Sequence, residues 1–527
     1  MTEMAGATQR SNSSRGSRVT QPISVTINSL AAIVLLFVTA VLLLRPRDSE
    51  FLSTPWRGRV FTFLALVGGW LLIRWVRRRP APSRRVTILW GLALTGASGI
   101  VTYFSQFAYG WDPRAIRIAT YQLARSGHLD TGLLEYFARY PNNLPLALIE
   151  TPLTRLALAT GISFSNVLLV WNCALFFGVL MFAAATLRCL GRQSWIIPIL
   201  VLLTLLLGFS PHMVMPYSDL PGCFLSSAFI YIGTRIHADR QRAYMWVCVA
   251  AFLVGITYLI KPYVLVIPIA GAIMLILSGA LSNAAHKWGA WGGVWRLALV
   301  PMLILVASMG ERGLAYRNAD VTPAQLETYN APFPILHWVA MGLHDNGSRQ
   351  PQRSYGSFDM GIMRRDVHIK DATTRNEVIR QGIEKDIERQ GIGGTGVFMA
   401  KKIAWVLGDG SFFAQKDGAD AKAQPTHPGV IAEFTLRDGR YYHFKAGLTQ
   451  AVWGAVLLAI AFGLVRARRR PAVAWLSLAF LGFVTYESVF EGRPRYVVAV
   501  LPLIVMLLAW TATRDDDQGP KAPVESA

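Results

Sequence analysis

The sequence predicts an all-α polytopic membrane protein with about twelve transmembrane helices. Only 16% of its 527 residues are charged and 53% are hydrophobic, whereas a soluble domain usually carries about 25% charged residues. The apolar residues lie in repeated runs of about 20, the length of helix that crosses a bilayer. A helix satisfies its own backbone hydrogen bonds in lipid, so these runs favour a helical bundle.

The candidate spans follow one another along most of the chain. They cover residues 23–44, 59–76, 86–105, 165–187, 194–210, 219–236, 243–260, 262–280, 295–312, 446–466, 472–488 and 495–512. The first run has no clear small-residue cleavage site, so we predict a retained span and not a signal peptide.

The spans divide the chain into five predicted regions. These are a disordered cytoplasmic tail (1–22), an N-terminal transmembrane bundle (23–312), an extracytoplasmic loop region of mixed structure (313–445), C-terminal transmembrane helices (446–512) and a disordered cytoplasmic tail (513–527). The bundle carries two outer loops, 106–164 with interfacial helices and 211–218, which are the predicted catalytic loops. Within the long loop region, residues 375–389 predict a helix with exposed ion pairs.

Arginine clusters predict the orientation of the bundle. They end or follow spans two, four, six and ten, at Arg74, Arg77, Arg78, Arg79, Arg84, Arg85, Arg188, Arg192, Arg235, Arg240, Arg242, Arg466, Arg468, Arg469 and Arg470. Counting spans puts all of them on one side, which the positive-inside rule makes cytoplasmic. A smaller group falls on the other side: Arg45, Arg47, Arg57 and Arg59. This arrangement explains the net charge of +21 without nucleic-acid binding.

Ionisable residues at the outer membrane face are candidates for function, because charge is costly near lipid. The first is Asp112 in FAYGWDPRAIR, just after the third span. An Asp-Pro pair is typical of a helix start, with Asp as N-cap and Pro in the first turn. The alternative is a carboxylate held at the membrane face as a general base.

The second candidate is the segment RYPNN in the same outer loop. It contains Arg139, Tyr140, Asn142 and Asn143. The two amides after a proline are typical of a turn. Adjacent amides that face a cavity can also hold sugar hydroxyls or a phosphate.

Two further candidates lie beside later spans. Asp219, in MPYSDLPG, is a second carboxylate at the outer face, although Asp-Leu-Pro also suits a helix N-terminus. Lys261, in TYLIKPYVL, interrupts a long apolar stretch. It either snorkels to the interface or holds an anionic headgroup.

The last charged group surrounds the start of the final span. Glu487, Glu491, Arg493 and Arg495 lie in YESVFEGRPRY, which ends at Tyr496. These side chains can pair among themselves. Alternatively, the two arginines bind a monophosphate or diphosphate, because guanidinium groups match phosphate oxygens.

Metal binding has weaker support in the sequence. His337, His344 and Asp345 lie close together in the long loop region, but their spacing matches no common zinc pattern. The two outer carboxylates could share a divalent cation, which the sequence does not require.

Taken in order and on one predicted side, these motifs resemble the C-type (GT-C) membrane glycosyltransferase superfamily, and in particular family 39-like bacterial transferases that use polyprenyl phosphate sugars. The resemblance covers about residues 86–512. It rests on YGWDPR, RYPNN, MPYSDLP, IKPY and EGRPRY, and HWVAMGL and LGDGSFF are similar to segments of the same proteins.

The resemblance implies that a sugar moves from a polyprenyl phosphate to a cell-envelope acceptor outside the cytoplasm: a glycan, lipid or protein. Asp112 would be the general base of an inverting displacement. Lys261, Arg493 and Arg495 would stabilise the leaving phosphate, and Asp219 and Asn142 would orient hydroxyls. The other residues of these motifs would bind substrate: Arg139, Tyr140, Asn143, Glu491 and Tyr496. The implied location is a bacterial plasma membrane, with both termini cytoplasmic, and residues 313–445 would form a lid that contributes to acceptor choice.

Two other classes of function remain open at this stage. A transporter or lipid-linked glycan flippase would place ionisable groups at mid-bilayer in broken helices, whereas these candidates lie at span ends. A glycan polymerase or ligase with a diphosphate-linked donor would gather more arginine in the outer loops.

Overall fold

The computed structural model describes residues 2–44, 55–76, 78, 80–238, 242–277, 333–347, 355–412, 425–436 and 438–511, and the single positions 313, 317 and 322. These residues form α-helices and connecting segments, with no β-strand among them. An isolated bridge pairs Phe107 with Pro425.

We number the described helices in chain order. They are α1 Thr2–Leu44, α2 Pro55–Val76, α3 Arg84–Tyr103, α4 Trp111–Arg125, α5 Thr131–Arg139, α6 Leu144–Thr160, α7 Phe164–Cys189, α8 Ile196–Leu203, α9 Asp219–Ala238, α10 Ala243–Ile260, α11 Val266–Leu277, α12 Ile335–Leu343, α13 Met360–His368, α14 Ala372–Gly408, α15 Val430–Thr435, α16 Tyr442–Arg466, α17 Pro471–Val489 and α18 Val497–Thr511.

Six helices among the described residues are long and apolar enough to cross a membrane. They are Gln21–Leu44, Arg84–Tyr103, Phe164–Cys189, Tyr442–Arg466, Pro471–Val489 and Pro494–Thr511. Four shorter apolar helices coincide with further predicted spans: Val60–Leu72, Gln193–Gly208, Met245–Ile260 and Pro262–Leu275. The predicted span 219–236 corresponds to the less apolar α9, and 295–312 lies outside the described residues. The structure thus shows a multispanning helical protein, and the number twelve stays a prediction.

The N-terminal segment differs from its prediction. For residues 1–22 the sequence predicts a disordered tail, but α1 begins at Thr2. Extending a helix from a formed span costs far less than nucleating one, which accounts for the helical path of this segment. The tail 513–527, Arg45 and Arg47, and the side chains of Arg57 and Arg59 lie outside the described part.

Helix α18 forms the centre of the bundle. Its span covers Pro494–Thr511, and 89% of these 18 residues are buried. Other helices, and not lipid, therefore surround it. Its Ala499 carbonyl accepts a hydrogen bond from Ser226 of α9. A Cβ on Gly222 would lie 2.9 Å from the Ala499 Cβ, so this glycine allows α9 and α18 to approach closely.

The arginine clusters meet at one end of the bundle. Contacts there join Arg188 to the carbonyl of Pro82 (2.9 Å) and to Thr87, Arg192 to the carbonyl of Ala509 (2.6 Å), and Asn28 to the carbonyl of Arg468 (3.1 Å). These contacts bring together the start of α3, the ends of α7 and α18 and the α16–α17 turn. The opposite end of the bundle therefore carries the end of α3, the starts of α9 and α18, and the end of α17.

The described part of the long loop region is helical and packs on that opposite end. As predicted, residues 375–389 lie in a helix, α14, with exposed ion pairs Arg380–Glu377 (2.8 Å) and Arg380–Glu384 (3.0 Å). Helix α14 is kinked at Gly391, where φ is +67°. In α12, the Trp338 carbonyl accepts the backbone N–H of Glu491 at 3.0 Å, which ties this region to the last turn before α18.

Candidate functional site

A cavity of about 1290 Å³ opens at the end of the bundle opposite the arginine clusters. Ten of the eleven predicted site residues line it: Asp112, Arg139, Tyr140, Asn142, Asn143, Lys261, Glu491, Arg493, Arg495 and Tyr496. The eleventh, Asp219, contacts two of these residues from outside the wall. Residues of α12, α13 and their flanking segments complete the wall, so the long loop region contributes to the cavity, and its role as a lid stays a prediction.

Asp112 faces the cavity and does not cap its helix. Helix α4 begins at Trp111 with Gly110 at the N-cap, so the N-cap interpretation of Asp112 is wrong. The Tyr136 hydroxyl donates to Asp112 Oδ1 at 2.9 Å, and the Tyr217 hydroxyl donates to Oδ2 at 3.1 Å. The carboxylate is therefore held on both oxygens.

The two tyrosines act as fixed donors to this carboxylate. Burial, reinforced by the nearby Asp112 charge, raises the pKa of both Tyr136 and Tyr217 well above the usual range. Asn143 Nδ2 donates to the Tyr136 hydroxyl at 2.7 Å and fixes its orientation. A carboxylate offers about four acceptor positions, so two remain for a hydroxyl in the cavity.

The RYPNN segment forms both a turn and a wall of the cavity. Pro141–Asn143 is a single 3₁₀ turn between α5 and α6, and Asn142 Nδ2 donates to Asn143 Oδ1 at 3.2 Å. Arg139 is ion-paired with Glu135. Burial, and then the Asp112 charge, raises the pKa of Tyr140 to about 12, so its hydroxyl stays protonated.

Lys261, Asp219 and Arg495 form a buried charged cluster at the cavity wall. Lys261 Nζ lies 2.6 Å from Asp219 Oδ1 and donates to Ser218 Oγ at 3.0 Å. Arg495 Nε lies 3.6 Å from Asp219 Oδ2. Only 6% of Lys261 is exposed, so it does not snorkel to the interface. Two cations share one carboxylate, which leaves the cluster with a net charge of +1.

Aromatic rings surround the two cations of this cluster. Lys261 Nζ lies 5.1 Å from the ring centroid of Tyr217 and 5.5 Å from those of Tyr263 and Tyr496. The Arg495 guanidinium lies 4.6 Å from the Tyr217 ring, whose hydroxyl bonds Asp112. Tyr217 thus links the carboxylate to the cationic cluster.

The four charged residues before α18 make separate interactions. Glu491 and Arg493 pair at 2.8 Å, as the ion-pair interpretation predicts. Arg495 instead contacts Asp219. Glu487 is fully buried and does not line the cavity.

A lysine that the sequence analysis missed anchors this turn. Lys402 of α14 is fully buried and donates to the carbonyls of Gly342 (2.9 Å) and Phe490. Gly492 N donates to the Gly356 carbonyl at 2.9 Å. Burial lowers the pKa of Lys402 to about 8. These contacts set the path of the chain into Glu491 and Arg493.

Tyr136 and Tyr217 were also missed, although Tyr136 lies shortly before RYPNN and Tyr217 lies inside MPYSDLP. Tyr136 precedes Arg139 and Tyr140 by three and four residues, a spacing that puts side chains on one face of a helix. Tyr217 lies two residues before Asp219 in MPYSDLP. Their positions beside or within these motifs are the available signal.

The histidines of the long loop region pair with aspartates. His337 Nδ1 lies 2.5 Å from Asp366 Oδ2, and His344 Nδ1 lies 2.8 Å from Asp386 Oδ2. Within the described ranges, no group of three or more His, Cys, Asp or Glu side chains could hold a metal ion. Asp112 and Asp219 do not fit a shared divalent cation either, because Asp219 already contacts two cationic side chains.

Comparison with known proteins identifies the family to which the chain belongs. No curated protein and no solved structure matches the chain. A family model described as "conserved hypothetical integral membrane protein" matches residues 82–515, which include every predicted site residue. The chain belongs to this family of conserved integral membrane proteins.

Proposed function

We propose that this protein is a membrane glycosyltransferase that moves a sugar from a polyprenyl phosphate to an extracytoplasmic cell-envelope acceptor. One observation carries the proposal. A single cavity holds an oriented carboxylate, Asp112, and a cationic cluster, Lys261 and Arg495, joined through Tyr217. A group suited to proton transfer and groups suited to phosphate binding thus lie together at one end of the helical bundle.

In this mechanism Asp112 is the general base. Its free acceptor positions receive the proton of an acceptor hydroxyl as that oxygen attacks the anomeric carbon of the donor. The bond between that carbon and the phosphate oxygen breaks, and the polyprenyl phosphate leaves. A single displacement inverts the anomeric centre. Lys261, Arg495 and Arg493 stabilise the charge that develops on the phosphate.

The charge of the cationic cluster favours a monophosphate donor. The phosphodiester of a polyprenyl phosphate sugar carries one negative charge, which matches the net +1 of Lys261, Arg495 and Asp219. Arg139 and Arg493 are each paired with a glutamate, so these two pairs add no net charge to the wall. A glycan polymerase or ligase would use a diphosphate-linked donor. Such a donor carries more negative charge than the cationic cluster of this cavity wall neutralises.

The placement of the charges also favours an enzyme over a transporter or flippase. Asp112 lies at the start of α4, Lys261 follows the end of α10, and Arg495 precedes α18. The candidate groups therefore lie at helix ends around one cavity. Transporters instead bind their cargo at mid-bilayer between broken helices.

The arginine-rich end of the bundle faces the cytoplasm in this proposal, by the positive-inside rule. Both termini are then cytoplasmic, the cavity opens outside a bacterial plasma membrane, and α14 lies outside the cell.

Reporter fusions test this orientation. A reporter that is active only outside the cytoplasm should give a signal when it is fused near residue 380, and it should give none when it is fused after residue 470. A cytoplasmic signal at residue 380 would overturn the assignment of the site to the outer face.

Loss of the protein should change the cell envelope. We expect mass spectrometry of envelope glycans from cells without the protein to show the loss of one specific sugar linkage. Reintroduction of the wild-type chain should restore that linkage, and reintroduction of Asp112→Asn should not. Identical envelope glycans with and without the protein would contradict the proposed function.

A further inference from the structure

Trp111, the residue before the proposed base, is directed to the cavity and not to the protein core. It lines the cavity together with Asp112, yet 69% of its surface is exposed. It is the most exposed tryptophan in the described part of the chain. A large aromatic ring beside a reactive carboxylate is available to a substrate.

The backbone at Trp111 is unusual for a bulky residue. Its φ is +48°, in the left-handed region that L side chains rarely adopt. Gly110, just before it, has ordinary extended backbone angles. Strained positions of this kind cluster at ligand-binding sites, where the surrounding structure maintains them. Here the conformation places an indole at the cavity instead of in a hydrophobic core.

A second aromatic surface lines the same cavity. The ring of Tyr140 lies 5.8 Å from Phe333 and 6.1 Å from Trp338, and the last two rings are 6.2 Å apart. Trp111 lies outside this group. The wall between α4 and α12 therefore offers flat apolar faces together with hydrogen-bonding groups, which include Asn142 and Asp359.

This combination fits a saccharide. Sugar rings present flat C–H faces that stack on aromatic rings, and a rim of hydroxyls that carboxylates and amides bind. A lipid chain would need an apolar channel without the amides, and an extended peptide would need exposed backbone partners. The cavity also exceeds the roughly 300–1,000 Å³ of typical single-ligand pockets, so a donor sugar and an acceptor saccharide fit together.

We propose that the acceptor is a carbohydrate chain and that Trp111 is its stacking platform, which presents one acceptor hydroxyl to Asp112. This inference rests on the proposed function and narrows it from a glycan, lipid or protein acceptor to a glycan.

An exposed tryptophan can also anchor a protein at the membrane interface. Trp70 of α2 provides the matched control, because it is 54% exposed and does not line the cavity. Loss of a membrane anchor would have similar consequences at both positions. Loss of a stacking platform would affect Trp111 alone.

The test uses the full-length protein in proteoliposomes with polyprenyl phosphate mannose or arabinose as donor. The acceptors are mannose and arabinose trisaccharides and a Ser/Thr-containing peptide. Trp111→Ala should raise the KM for the trisaccharide at least tenfold and leave the donor KM unchanged. Trp111→Tyr should retain most of the acceptor affinity, and Trp70→Ala should match the wild type.

Saturation-transfer NMR of the trisaccharides separates this inference from the proposed function. Binding that depends on Trp111, without any transfer, would support the saccharide site and contradict the transferase proposal. Transfer to the peptide but to neither trisaccharide would leave the transferase standing and overturn the glycan acceptor. Equal effects of Trp111→Ala and Trp70→Ala would also overturn the role of Trp111.

Discussion

Replacement of Asp112 by asparagine should lower the turnover number for sugar transfer by about 10²–10⁴-fold, the usual contribution of a general base. Asparagine keeps the shape of the side chain, and its Oδ1 can accept from one tyrosine hydroxyl while its Nδ2 donates to the other, so the fold should survive. It cannot accept the proton of the attacking hydroxyl. The KM for the donor should change little, because the cationic cluster is untouched.

Tyr136→Phe is the matched comparison for this variant. It keeps the carboxylate and removes one of the two hydroxyls that hold it. This hydrogen bond goes to a charged carboxylate and contributes about 1.5–3 kcal/mol, which corresponds to a loss of at most about 10–100-fold in rate. The asparagine variant should therefore be slower than the phenylalanine variant. Full activity of Asp112→Asn, in membranes supplied with a polyprenyl phosphate sugar, would remove the general base from the mechanism.

Replacement of Lys261 by methionine should raise the KM for the donor by roughly 10–100-fold, since a hydrogen bond to a charged group contributes about 1.5–3 kcal/mol. The acceptor KM should stay within a few-fold of the wild type. Steady-state kinetics with each substrate varied in turn measure both constants. An equal or larger effect on the acceptor KM would remove Lys261 from the phosphate site.

Lys261→Met also breaks a buried ion pair, so stability must be measured beside activity. Removing one partner of such a pair typically costs about 3–5 kcal/mol, whereas replacing both by uncharged groups is often nearly neutral. Arg495, still beside Asp219, should reduce that cost. The single variant should thus keep most of its thermal stability in detergent, whereas Lys261→Met/Asp219→Asn also removes the carboxylate beside the buried Arg495 and should lose more. A raised donor KM in the stable single variant separates phosphate binding from folding.

The sequence was informative wherever a signal is local. Apolar runs and arginine clusters identify helices and one end of the bundle without knowledge of tertiary contacts, because the bilayer imposes both patterns. The exposed i,i+4 pairs of α14 are local in the same way. Asp112, Lys261 and Arg495 were found because charges beside apolar spans are unusual.

The partners of these charges could not be predicted, because they depend on packing between distant segments. Asp219 has a typical helix-start sequence, yet the fold pairs it with Lys261 and Arg495. Nothing in the sequence distinguishes Tyr136 and Tyr217 from other tyrosines of interfacial segments. Only the packing of the chain brings both of their hydroxyls to the Asp112 carboxylate. Lys402 lies in an apolar helical stretch. Only the fold brings it to the carbonyl of Phe490, which lies far along the chain.

The most direct test of the central claim is sugar transfer by the purified, reconstituted protein. Proteoliposomes should receive a polyprenyl phosphate with a radiolabelled sugar, together with cell-envelope glycan as acceptor. The account predicts that label moves from the lipid to the glycan with inversion at the anomeric carbon, and that Asp112→Asn slows the transfer by about 10²–10⁴-fold. Label that stays on the lipid and only crosses the bilayer, or transfer that proceeds equally with Asp112→Asn, would contradict it.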